Sequence, residues 1–138
     1  AFIRIKDRSV KTYHDTNEAE GPKTVSELLV IVRNWFTENP NGWTRFAFAR
    51  DRDGNSTMIG RHRTIVNPPA SCFCLSGALR AFGSVALSAE AHEILAEIIY
   101  PETVKRANTV VSCWNDNEAS SIQDVVKLLD RAIESTQK

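Results

Sequence analysis

One stretch near the start of the chain constrains its folding more than any other. Thr24-Val25-Ser26-Glu27 is a capping box, in which the threonine hydroxyl accepts from the amide three residues on and the glutamate reaches back to the cap amide. Behind it Val25, Leu28, Leu29, Val32, Trp35 and Phe36 recur at helical spacing, and Asn39-Pro40-Asn41-Gly42 ends the run. Val30 and Ile31 widen the apolar face further. A helix this apolar needs other elements to cover it.

Three later segments offer matching stripes. Residues 72–82 place Leu75, Ala78, Leu79 and Phe82 on one helical face, with Gly77 permitting close approach of a neighbour and Gly83 as the stop. Ser88 is a cap for a helix carrying Ala91, Ile94, Leu95, Ile98 and Ile99, ended before Pro101. Ser121 caps the last helix, with Asp124 against its dipole and Val125, Val126, Leu128, Leu129, Ala132 and Ile133 on its buried face. Between the first two helices the text changes period. Residues 43–49 alternate, Asp51-Arg52-Asp53-Gly54-Asn55 is turn chemistry, and further extended text runs to Val66 before Pro68-Pro69. The expectation is an α-rich α+β fold: a single domain over residues 24–138 with about four amphipathic helices and a small antiparallel β element. Residues 1–23 read as an N-terminal arm and loop, with a short apolar–basic alternation over Phe2–Lys6 and a polar stretch from Thr12 to Lys23.

At 138 residues such a domain can bury a core without disulfides or a metal. The three cysteines are odd in number and do not form a disulfide framework, which points to a reduced, cytoplasmic protein. No apolar run approaches a membrane span and no signal-peptide pattern opens the chain. Seventeen basic and seventeen acidic side chains cancel, which argues against a general nucleic-acid coat. The cancellation is global only. Residues 1–87 carry 12 basic and 8 acidic groups, a balance of +4, and residues 88–138 carry 5 and 9, a balance of −4.

Several blocks together resemble the uncharacterised bacterial and phage domain-of-unknown-function family 6197. They are Gly42-Trp43, Ala49-Arg50-Asp51 with Gly54, Cys74-Leu75-Ser76-Gly77-Ala78-Leu79, Trp114-Asn115-Asp116, and Val125 with Leu128-Leu129-Asp130-Arg131-Ala132-Ile133. Order and spacing cover roughly residues 24–136. The resemblance implies a fold-sized unit and carries no activity.

Chemistry-bearing residues fall into three groups. The first is the basic segment Arg45, Arg50, Arg52, Arg61, His62 and Arg63, interleaved with Trp43, Phe46 and Phe48. Guanidinium forks grip phosphate or carboxylate and exposed aromatics stack, so this segment suits an anionic ligand: a phosphate-bearing molecule, nucleic acid or an acidic protein. The competing expectation puts the three aromatics in the core and pairs the arginines with the acidic half. The second group is Trp114-Asn115-Asp116, either a polar pair at a pocket mouth or a loop in which the indole anchors and the two polar residues form an Asx turn. The third is Cys74 and Cys113. A cysteine at a helix N-terminus can have a lowered pKa, and with His92 or His62 as base a cysteine-dependent hydrolase can be written. His92 itself reads as an exposed helix side chain. Cys72-x-Cys74 is too closely spaced for zinc, Asp51 and Asp53 suit a turn, and Glu90, Glu93 and Glu97 form a solvated acidic stripe. No cofactor motif is present. The reading is a non-enzymatic binding or accessory module, with the thiol hydrolase as the alternative.

Overall fold

A computed structural model describes residues 21–57, 70–102 and 106–137. The described elements are α1 (Val25–Glu38), β1 (Ala49–Arg50), β2 (Ser56–Thr57), β3 (Cys72–Phe73), α2 (Leu75–Phe82), α3 (Val85–Ile99), α4 (Ala107–Cys113) and α5 (Ile122–Ser135). Helix α4 continues into one π-helical turn, Trp114–Glu118. The α-rich α+β class expected from the sequence is the class observed.

The capping box forms with a small variation. Glu27 N donates to Thr24 Oγ1 at 3.1 Å, but the Glu27 carboxylate accepts from Lys23 N at 2.7 Å, one residue outside the cap. Leu28, Leu29, Val32 and Phe36 then line the buried face of α1. They meet Leu75, Ala78 and Leu79 of α2, Ala91 and Leu95 of α3, Val111 of α4, and Val125, Leu129 and Ala132 of α5 in one core. Each fully buried Leu or Phe contributes about 1.5–3 kcal/mol by leaving water. Trp35, Phe73 and Phe82 close one end as an aromatic cluster, with Trp35 edge-on to Phe73 at 5.2 Å and Phe73 edge-on to Phe82 at 5.7 Å. On the outside, Arg33 Nε pairs with Asp130 Oδ1 at 2.8 Å and ties α1 to α5.

The sheet is antiparallel throughout, in the order β2-β1-β3. The expected turn joins β1 to β2. Asp51 Oδ1 accepts from Asp53 N and Asn55 N, each at 2.9 Å, and Gly54 takes a φ of 89° that a side chain would resist. The expected extended text beyond Thr57 and the N-terminal arm both lie outside the described residues.

Two element boundaries, the helix count and one cap differ from the sequence reading. Cys72 and Phe73 join the sheet instead of opening α2, because they pair antiparallel with Arg50 and Ala49 of β1 and a short apolar run has no period of its own. Helix α3 starts at Val85, not after Ser88, since Gly83 ends α2 and leaves Ser84 free to cap through Leu87 N at 3.1 Å. Helix α4 makes five helices among the described residues where four were expected; its seven residues show too little periodicity to register. At α5, Ser121 holds the cap position without a side-chain bond, while Asp124 Oδ2 accepts from Ser120 N at 2.8 Å. No described helix is long and apolar enough to cross a membrane.

Gly77 supplies the contact that positions the functional region. A Cβ there would land on the carbonyl of Phe48, so the loop before β1 presses directly on α2. Gly77→Ala is expected to destabilise the protein by about 1–3 kcal/mol, read as a lower urea midpoint at unchanged slope, because both backbones must separate.

Candidate functional site

The irregular segment 42–48 is tied by backbone bonds to residues 73 and 74, Thr44 N to Phe73 O at 3.0 Å and Cys74 N to Phe48 O at 3.1 Å among them, and one buried side chain joins it to the helices. Asn115 is fully buried. Its Oδ1 accepts from Trp43 Nε1 at 2.7 Å and from Leu75 N at 3.0 Å. Its Nδ2 donates to Thr44 O at 3.1 Å and to Asp116 Oδ1 at 3.0 Å. A primary amide has two donors and two acceptor sites, and all four are used. Asp116 Oδ1 in turn accepts from Phe46 N at 2.9 Å.

The π-helical turn lets two consecutive residues reach one loop. Ala119 N donates to Trp114 O at 2.9 Å, an i→i+5 bond that inserts one extra residue into the helical turn. Asn115 and Asp116 therefore sit in a helical segment and not in the loop or Asx turn anticipated for them. Trp114 is half-buried and packs against the core, as an anchor would.

The arginines behave differently from one another. Arg50 spends its guanidinium inside the hairpin: Nε donates to Thr44 Oγ1 at 2.9 Å, Nη1 to Gly54 O at 3.1 Å and Nη2 to Arg45 O at 3.1 Å. Arg45 lies over the Trp43 ring at 5.0 Å and donates through Nη2 to Ala119 O. Arg50 is answered by carbonyl and hydroxyl oxygens and Arg45 by one carbonyl, its Nε buried without a partner among the described residues; the expected pairing with acidic side chains of the second half is not what these two make. Arg52 is exposed on the β1–β2 turn. Arg61, His62 and Arg63 lie outside the described residues. Thus Arg45, Arg50 and the 114–116 block, 70 positions apart between Phe46 and Asp116, form one constellation.

The aromatics divide as well. Trp43 is half-buried against Asn115, while Phe46 and Phe48 are 68% and 43% exposed, which corrects the expectation that all three enter the core. Phe46 takes a φ of 65°, a left-handed conformation that a bulky side chain rarely adopts. Arg80, from α2, stacks over Phe48 at 4.6 Å.

Cys74 caps α2, its Sγ accepting from Gly77 N at 3.2 Å. Burial pushes its thiol up to about 11, and nearby Asp116 pushes the same way, so the helix N-terminus does not produce the lowered pKa anticipated for it. Cys113 is exposed at the end of α4. His92 is buried, not exposed. Its Nε2 lies 2.7 Å from Ser76 Oγ and its Nδ1 lies 2.7 Å from Ser88 O. The carbonyl can only accept, so Nδ1 carries the proton and Nε2 accepts from the serine hydroxyl. Sequence reasoning missed this chain: its Ser88 end is a backbone carbonyl that no side chain marks, and Ser76 lies 16 positions away on another helix. It has the form of a nucleophile and its base, but Ser76 is fully buried. The amides flanking it, Leu75 N and Gly77 N, are already bound by Asn115 and Cys74.

A family model, described as a family of unknown function (DUF6197), matches residues 21–135. The chain belongs to this family. The match takes in every element described above, so the Asn115 network and the buried Ser76–His92 pair both lie within the family's span. No curated protein and no solved structure shows a significant match to the chain.

This geometry has two measurable consequences. Asn115→Ala strands Trp43 Nε1 and Leu75 N away from water and is expected to cost about 3–5 kcal/mol in chemical denaturation, far more than a typical surface change. Burial also holds His92 below its ordinary 6.5, with Arg80 adding to the effect and the Ser88 hydrogen bond opposing it. The folded state therefore binds that proton less readily than the unfolded chain. Stability is full above about pH 6.5 and declines as the pH falls toward the folded-state pKa. Thermal melts from pH 7.5 down to about 5 should show the decline, and His92→Gln should flatten it.

Proposed function

We propose that the chain is a non-enzymatic binding module for an anionic partner, with the segment Arg45–Phe48 and the following hairpin as its contact surface. Phe46 carries this reading. Holding a bulky residue at φ 65° costs on the order of 1–3 kcal/mol, and such strain persists only where the surroundings over-determine it. Asp116 does so by gripping the Phe46 amide, and the product is an apolar ring held out in water. Two residues on comes Phe48 with Arg80 on its face, and the turn of the following hairpin carries the exposed Arg52. Aromatics and arginine are the residue types enriched at contact surfaces. Arg45 and Arg50 shape the loop, and Arg61 and Arg63 extend the basic segment in sequence. Trp114, Asn115 and Asp116 brace it from behind. The partner carries phosphate or carboxylate groups, and the compartment is the reducing cytoplasm.

Nothing favours the hydrolase alternative built on Cys74, Cys113 and His92. The Cys74 thiol is buried with its pKa raised, and His92 is committed to Ser76 and Ser88.

Retention on immobilised polyglutamate, heparin and oligothymidylate tests the reading. The protein is expected to bind at least one of these, to elute earlier as salt rises, and to lose retention in Phe46→Ala and Arg52→Glu while keeping its melting temperature within a few degrees. Binding to none of them, or binding indifferent to salt and to both substitutions, refutes it.

A further inference from the structure

We infer that the anionic partner is a second copy of this chain: the outer face of α3 in one copy docks on the Phe46–Phe48 loop and Arg80 of the other, reciprocally, in a two-fold dimer. The inference rests on the preceding reading that this loop is a contact surface for an anionic group. It adds the identity of that group.

The two surfaces are complementary in kind. On α3, Glu90, Glu93 and Glu97 are exposed along one side, and the same exposed face runs on through Ala89 and Ala86 to Val85, itself 67% exposed. Among the described residues no arginine or lysine forms an ion pair with these glutamates; the pair found there is Arg33–Asp130. The opposing surface carries the exposed rings of Phe46 and Phe48, the latter under Arg80, with Arg52 on the adjoining hairpin, and neither arginine has a carboxylate partner among the described residues. Each surface therefore sets an apolar patch next to a charge of the sign the other lacks. The basic surface belongs to the part of the chain with a +4 balance, and the glutamates to the part with −4.

A protein partner fits better than nucleic acid. Arg80 already covers one face of Phe48 on which a base would stack, and a chain with no net charge lacks the general attraction that nucleic-acid binding draws on. The same neutrality means that two copies do not repel. A two-fold arrangement makes every contact twice, which matters because a single exposed ion pair contributes at most about 1 kcal/mol.

Sedimentation velocity on the full chain, from micromolar to sub-millimolar concentration, gives the test. The mass is expected to rise from 15.4 kDa toward twice that, and to fall back in high salt. Glu90→Lys/Glu93→Lys/Glu97→Lys and Arg52→Glu/Arg80→Glu should each weaken self-association at least ~10-fold. An equimolar mixture of the two variants should restore the dimer, since both contacts of a mixed pair again join opposite charges. Circular dichroism checks that each variant is folded; should the multiple variants fail, Glu93→Lys and Arg80→Glu repeat the exchange singly. A chain that stays monomeric at every concentration overturns the inference, as does a dimer that ignores both reversals or forms normally with Phe46→Ala. If that monomer is still retained on polyglutamate or oligothymidylate, the dimer fails while the anionic-partner reading stands. Retention on none of the polymers by a protein that does dimerise, and recovers on mixing, upholds the dimer while refuting the reading of an anionic partner other than the chain itself.

Discussion

The four hydrogen bonds of the Asn115 side chain hold together the part of the molecule that regular secondary structure does not. A buried amide that leaves one of its groups unpaired costs on the order of 1–3 kcal/mol, so a fully paired one fixes every partner it touches. Here the partners come from three places: the indole and carbonyl of residues 43–44, the first amide of α2, and the neighbouring carboxylate. The 42–48 segment has only one residue in a β-bridge, yet it is anchored at Trp43, Thr44 and Phe46 to the π turn and at Phe48 to α2. Side-chain bonds of this kind, added to the backbone bonds that the segment makes with Phe73 and Cys74, are what allow a strained phenylalanine to persist in water.

The helical framework was readable in the sequence because it is written in local periods. The Thr24 cap, the stripes of α1 and α5 and the Asp51 turn all depend on residues within a few positions of one another. The site was readable only in part. Trp114-Asn115-Asp116 stands out as polar residues interrupting apolar text, but its meaning depends on Trp43 and Leu75, which no local pattern connects to it. A π turn has no compositional mark, since it differs from an α turn by one residue of spacing. His92 looks solvent-facing because a lone polar residue beside glutamates usually is. It is buried because the carbonyl four residues back and a serine on α2 satisfy both ring nitrogens. Arginine is misread for a related reason. Sequence counts the charge of Arg45 and Arg50, whereas their places are set by backbone oxygens that carry no letter.

The Ser76–His92–Ser88 chain separates having the groups for chemistry from having a site for it. Hydroxyl, imidazole and carbonyl are aligned at 2.7 Å on both sides of the ring. Catalysis would also need a route for substrate and free amides to receive developing charge, and Ser76 is enclosed with both flanking amides engaged. What remains is a polar bolt between α2 and α3 in an otherwise apolar layer. Its partners are fully satisfied, so it fixes the relative rotation of two helices that methyl groups alone would leave less determined.

The extra residue in the Trp114–Glu118 turn also bears on which lengths of chain this fold can accept. The Asp51–Asn55 turn projects outward, and insertions there would be carried by solvent. Between α4 and α5 the count itself is structural. Removing one residue would return the turn to ordinary helical spacing and rotate Asn115 by roughly a quarter-turn relative to α5. The amide would then face away from Trp43, and α5 would meet α1 in a different register. Variation by substitution can proceed around that stretch, but variation by insertion or deletion is closed to it.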